Sequence, residues 1–154
     1  MRYKLSENLI YNDEFASLES NKFYAFLKFA FINADMISLT THQGSIEQGY
    51  KHIEKLESTI VSEIIDSEQT ISTHCTTYGV GVVVFYFRIS KAIKKFLTNK
   101  KSFWDFVWQG ESILDDIAFY QDGICWLSTC THENIFLIDS KYLEKYFDST
   151  NNIL

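Results

Sequence analysis

The chain predicts an α+β fold: a single domain with a mainly antiparallel sheet and helices packed on one face. Three observations lead there. Helical spacings come mostly early in the chain, strand-like runs come mostly late, and Asp122-Gly123 joins two late runs as a hairpin. Asp-Gly suits that turn because both central residues need positive φ. With 154 residues the chain fits one domain over 1–154. The opening residues, 1–19, are polar and weakly patterned, and they and 148–154 are expected to be loosely ordered.

Ser20 or Asn21 offers a cap, and Phe23, Phe26, Leu27, Ala30 and Phe31 follow at helical spacing. The same stretch also alternates, so a strand is the competing reading; helix is preferred. Residues 36–41 read as a short strand ended by Gln43-Gly44. A long helix is expected over 45–67, because Ile46, Tyr50, Ile53, Leu56, Ile60 and Ile64 recur every three or four residues. Ser45 and Gln48 have capping-box spacing, and Glu47 precedes Lys51 by four.

Residues 80–89 are β-branched and aromatic with apolar residues on both faces, which fits an interior strand. Ser90 then caps a helix carrying Ala92, Ile93, Phe96 and Leu97. A short helix over 103–108 is expected to bury Phe103, Trp104 and Val107 and to end at Gly110. Residues 117–120 and 124–131 form the hairpin arms. After the His132-Glu133 turn comes a strand at 134–138. Asp139 or Ser140 caps a last helix with Tyr142, Leu143, Tyr146 and Phe147.

The net charge of −6 argues against a free-standing nucleic-acid binder. Its distribution is uneven. Residues 1–100 hold eleven acidic and eleven basic residues; 101–154 hold nine acidic residues and three lysines. Between Asp105 and Asp139 there is no Lys or Arg, and Trp104, Trp108, Phe119, Tyr120 and Trp126 sit among the acids. One reading is a solvated acidic surface that keeps the protein soluble. The other is a face for a basic protein partner, such as the nucleic-acid groove of a nuclease, with carboxylates standing where phosphates would lie. On that reading Asp105, Glu111, Asp115, Asp116 and Asp122 pair with Lys or Arg, and Trp108 and Tyr120 anchor the contact. Five lysines between Lys91 and Lys101 read as the wet side of a helix and its C-terminal end.

Three cysteines, Cys75, Cys125 and Cys130, make no disulfide framework, and the first residues lack the apolar run of a signal peptide. A cytoplasmic, non-membrane protein is expected. A zinc site from His74, Cys75, Cys125, Cys130 and His132 is discounted, because Cys125 and Cys130 have opposite parity along one strand and should face opposite sides. Asp115 and Asp116 are likewise expected to point apart. Cys130 and His132 share a strand face and leave a thiol-dependent enzyme as an alternative. No metal or cofactor is expected.

Taken together, AFINADMISL at 30–39, VVVFYFR at 82–88, LDDIAFYQDG at 114–123, WLST at 126–129 and THE at 131–133 resemble a group of small bacterial proteins. These look like immunity proteins of polymorphic or contact-dependent toxin systems. The chain departs from their pattern in lacking a proline before Asp115 and in having Asn134 after His-Glu. The resemblance implies a protein that binds and neutralises a cognate toxin domain stoichiometrically, without catalysis. It carries over the class and not a site. A regulatory protein-binding module is the further alternative.

Overall fold

The computed structural model describes residues 3–42, 44–75, 77–106 and 114–151. Eight strands form one sheet: β1 (Lys4–Leu5), β2 (Leu9–Tyr11), β3 (Met36–Thr41), β4 (Ile64–Ser72), β5 (Thr77–Arg88), β6 (Asp115–Gln121), β7 (Ile124–Cys130) and β8 (Ile135–Asp139). Their order is β2-β8-β7-β6-β3-β5-β4, and β1 lies parallel to the start of β7. All other pairings are antiparallel. The helices are α1 (Asn21–Asn33), α2 (Ile46–Leu56), α3 (Lys91–Thr98) and α4 (Ser140–Asn151). This is the expected α+β architecture, and no helix among the described residues is long and apolar enough to cross a membrane.

One sheet face is covered by helices. Ile37, Leu39, Val83, Phe85, Phe87, Phe119, Trp126 and Ile138 meet Phe23, Phe26, Leu27 and Ile93 there in the main core. Phe26 lies within 6 Å of Phe15, Phe103, Phe119 and Tyr146 by ring centroid. Such offset and edge-on pairs each add about 0.5–1.5 kcal/mol beyond area burial. Gly49 lets α2 lie close on β5, since a Cβ there would stand 3.0 Å from Phe85 Cζ.

The other face holds a smaller core of Met36, Val84, Tyr86, Ala118, Tyr120 and Cys125, with Tyr3 packed on it. Its cover comes from β4 and β5. Only residues 83–88 of β5 pair with β3, so the first half of that strand overhangs the sheet with β4. The connection at its end brings His74 to Tyr120 and Cys75 to Ser128. Tyr3 OH donates to Asp66 on β4 at 3.2 Å and closes the other side.

Several boundaries differ from the sequence reading. The 45–67 helix stops at Leu56, a 3-10 turn spans Ser58–Glu63, and an edge strand follows. Thr59, Ile60, Val61, Ile64 and Ile65 are β-branched, which disfavours helix and suits a strand that can pair with β5. The opening residues are not loose: β1 and β2 join the sheet and Phe15 is buried. Residues 148–151 continue α4 rather than fraying. The helix expected at 103–108 is a 3-10 turn at Phe103–Phe106 that buries Phe103 and Phe106 while Trp104 is 44% exposed. Val107 and Gly110 lie outside the described residues.

Candidate functional site

The β6–β7 hairpin positions nearly all the chemistry, and two irregularities decide where its side chains point. The first is in β6. Thr40 pairs with Asp115 while Ser38 pairs with Ala118, so β6 carries an extra residue there, and Asp116 takes φ 53°. A bulge of this kind re-aims side chains that a regular strand would send to opposite faces. Asp115 and Asp116 therefore do not point apart. Both carboxylates are buried and face His132, whose Nδ1 lies 3.8 Å from Asp115 Oδ2 and 4.0 Å from Asp116 Oδ1.

The ends of β3 and β7 complete this cluster. His42 Nε2 meets Asp115 Oδ2 at 3.0 Å. The backbone N–H of Thr131 donates to Asp116 Oδ1 at 3.2 Å, and that of Asp116 donates to Asp115 Oδ1 at 2.8 Å. Burial pushes the Asp116 carboxyl up to about 6, against the pull of His132, the Thr131 N–H and His42.

The second irregularity is in β7. Phe119 pairs with Leu127 but Tyr120 pairs with Cys125. The extra residue changes parity along β7. Cys125 joins the small core beside Tyr120, on the face that also carries Ser128 and Cys130. The expectation that Cys125 and Cys130 face opposite sides is thus corrected. Cys75 Sγ approaches the same face, 3.1 Å from Ser128 Oγ.

These thiols are poorly suited to nucleophilic work. Burial pushes Cys75 up to about 12 and raises Cys125 and Cys130 as well, and the charges of Asp116 and Glu133 add to the rise at Cys130. Cys130 Sγ stands 3.7 Å from His132 Nδ1 and 3.8 Å from its Nε2. A sulfur equidistant from both nitrogens lies off the lone-pair direction of either, so the ring is not placed to take the thiol proton.

Tyr120, expected as an exposed anchor, is fully buried. Its hydroxyl lies 2.7 Å from His74 Nε2 and 2.9 Å from Ser38 Oγ. Burial pushes the His74 imidazole down to about 4 and the Tyr120 phenol well up, so the phenol keeps its proton and bridges the two.

The acidic residues thus separate. Asp115 and Asp116 are interior and cannot serve as contact residues. Trp108 and Glu111 lie outside the described residues. Asp105 is exposed and accepts the Lys101 N–H at 2.6 Å. Asp122 is exposed at the hairpin turn, with φ 51° at Asp122 and 79° at Gly123. A strand the length of β6 sets that turn roughly 20 Å from the buried pair. Among the described residues, the predicted carboxylates divide between the interior and the surface.

At the turn, the Asp122 N–H donates to Asp35 Oδ2 at 3.0 Å, and both side chains are exposed. Beside them lies a groove of about 670 Å³ whose lining includes Leu5, Asp122, Ile124, Asp139 and Tyr142, with Lys4 and Lys141 also present. Leu5 is 43% and Ile124 45% exposed. Tyr142 OH donates to Gln121 Oε1 at 2.9 Å. Its phenol is raised by burial and then by the charges of Asp139, Asp122 and Asp35. Asp35 is separated from this region by more than eighty residues, so no local pattern in the sequence points to it. No family model, curated protein or solved structure matches the chain.

Proposed function

We propose that the chain is an immunity-type protein that binds a basic toxin domain, of nuclease type, and neutralises it by occlusion. The observation that carries this reading is the hairpin tip. Asp35 and Asp122 are both exposed, the Asp35 carboxylate accepting the Asp122 backbone N–H, and Asp122 lines a groove with exposed Leu5 and Ile124 and with Tyr142. Carboxylates steer a cationic surface into place and apolar neighbours supply affinity once water is expelled. The contact surface differs from the one the sequence suggested: Asp122 stays in it, while Asp115, Asp116 and Tyr120 serve the interior. The raised thiols and the misaligned Cys130–His132 pair favour binding over thiol catalysis. In the cytoplasm, where such a protein acts, the three free cysteines stay reduced.

The test is co-purification with the protein encoded immediately upstream, followed by titration of the complex. A one-to-one complex that relieves toxicity is expected, and Asp35→Lys with Asp122→Lys should weaken it at least tenfold, more so at low salt. Absence of a complex, or full protection by the double variant, overturns the proposal.

A further inference from the structure

The buried end of the hairpin, away from the proposed contact surface, carries a different kind of chemistry. Asp116, Cys130 and His132 each offer a ligand atom, and these atoms lie within 4.8 Å of one another. Asp115 Oδ2 is 3.8 Å from His132 Nδ1. Donors around a tetrahedral ion at 2.0–2.3 Å from each would be separated by about 3.3–3.8 Å. His132 Nδ1 lies 3.7 Å from Cys130 Sγ and 4.0 Å from Asp116 Oδ1, and with all three ligand atoms inside 4.8 Å the group must draw in by up to about an ångström to meet that spacing.

We propose that Asp116, Cys130 and His132 form a site for a divalent transition-metal ion of the zinc type, with Asp115 as a neighbouring carboxylate beside His132. Mixed carboxylate, imidazole and thiolate donors suit that class and disfavour magnesium or calcium, which take oxygen. Two buried carboxylates side by side repel each other when both are ionised, and the imidazoles of His42 and His132 stand against them. A dication relieves that repulsion directly. His42 is bonded to Asp115, and Asp115 in turn stands beside His132 as an outer partner of the site. Thr131, whose backbone N–H donates to Asp116 Oδ1, also has a buried Oγ1 without a hydrogen-bond partner among the described residues.

Binding asks for two local changes. The His132 ring must turn so that one lone pair meets the ion, and its 38% exposure leaves room for that. The Cys130 thiol must release its proton to solvent as the sulfur–metal bond forms. Three protein ligands would tie the β6 bulge to the end of β7 and leave the fourth position of a tetrahedron to water. The two bulges make it possible: one turns both carboxylates to a common side, and the other sets Cys130 on the side where they lie.

The test uses the full chain, stripped with chelator and titrated with Co²⁺ and then Zn²⁺. One equivalent of Co²⁺ should give tetrahedral visible bands and a near-ultraviolet thiolate-to-cobalt band, both displaced by Zn²⁺, with a higher melting temperature. Cys130→Ser should abolish the thiolate band, and His132→Ala should weaken binding at least tenfold. Cys75→Ser should leave the band in place. Circular dichroism checks that each variant folds; His132, being partly exposed, provides the variant that keeps the fold if the buried Cys130 does not tolerate serine. A pale octahedral spectrum without the thiolate band overturns the site. So does parent-like affinity in His132→Ala, or loss of the band with Cys75→Ser alone. None of these outcomes depends on toxin binding, so the two proposals fail separately.

Discussion

His74 should make the fold acid-sensitive in a defined window. Its imidazole is held at about 4 by burial, against 6.5 in an unfolded chain. Between those values the unfolded state takes up a proton that the folded state refuses. Stability is therefore full above pH 6.5 and is lost as pH falls from there towards 4, below which this contribution is flat. At about 1.4 kcal/mol per pH unit the shift corresponds to roughly 3 kcal/mol. Residual contact with solvent lowers that to about 2 kcal/mol. The structural reason is the hydrogen-bond geometry. His74 Nε2 faces the hydroxyl of Tyr120, and Nδ1 is buried with no hydrogen-bond partner among the described residues. A cationic ring would carry a buried charge and two donors in a pocket that offers an acceptor to one. Urea unfolding at pH 7.5 and pH 4.5, for the parent and for His74→Gln, isolates the contribution as a difference of differences. Equal pH dependence in the two proteins, or an NMR titration of His74 near 6.5, would refute the reasoning.

Other outcomes follow from the same geometry. Trp126→Ala should cost about 3–5 kcal/mol in chemical denaturation, since the indole stacks on Tyr142 at 4.6 Å and meets Phe119 and Phe29; a loss under 1 kcal/mol would mean the core repacks. Gly123→Ala should cost about 1–2 kcal/mol for conformational reasons alone, because φ is +79° and an added Cβ meets nothing closer than 3.9 Å; an unchanged midpoint in urea contradicts the assigned turn. All three thiols should react with an aromatic disulfide at pH 7.5 far more slowly in the folded protein than in urea. A single fast-reacting cysteine in the native state would revive the thiol-enzyme reading.

Much of the fold was legible locally. The caps at Ser45 and Ser90 accept N–H groups from Gln48 and Ile93, as their spacing implied. The Asp-Gly turn has its positive φ values. Residues 21–33 are helical although they also alternate. The 58–72 segment misled because Ile60 and Ile64 continue the spacing of α2, and periodicity over two further residues cannot report that an edge strand is wanted beside β5. The first strands were missed because they are two and three residues long and are held by pairing with β7 and β8.

The sequence by itself determined the α+β class, most helix starts, the hairpin and the concentration of acid in the last third, because each of these is written in neighbouring residues. Only the tertiary structure decided which acids reach solvent and which meet histidine. That depended on one extra residue in β6 and one in β7, and parity arguments hold only while a strand stays regular. It also depended on an overhanging β4–β5 pair that folds His74 and Cys75 over the second face, a contact between segments some fifty residues apart.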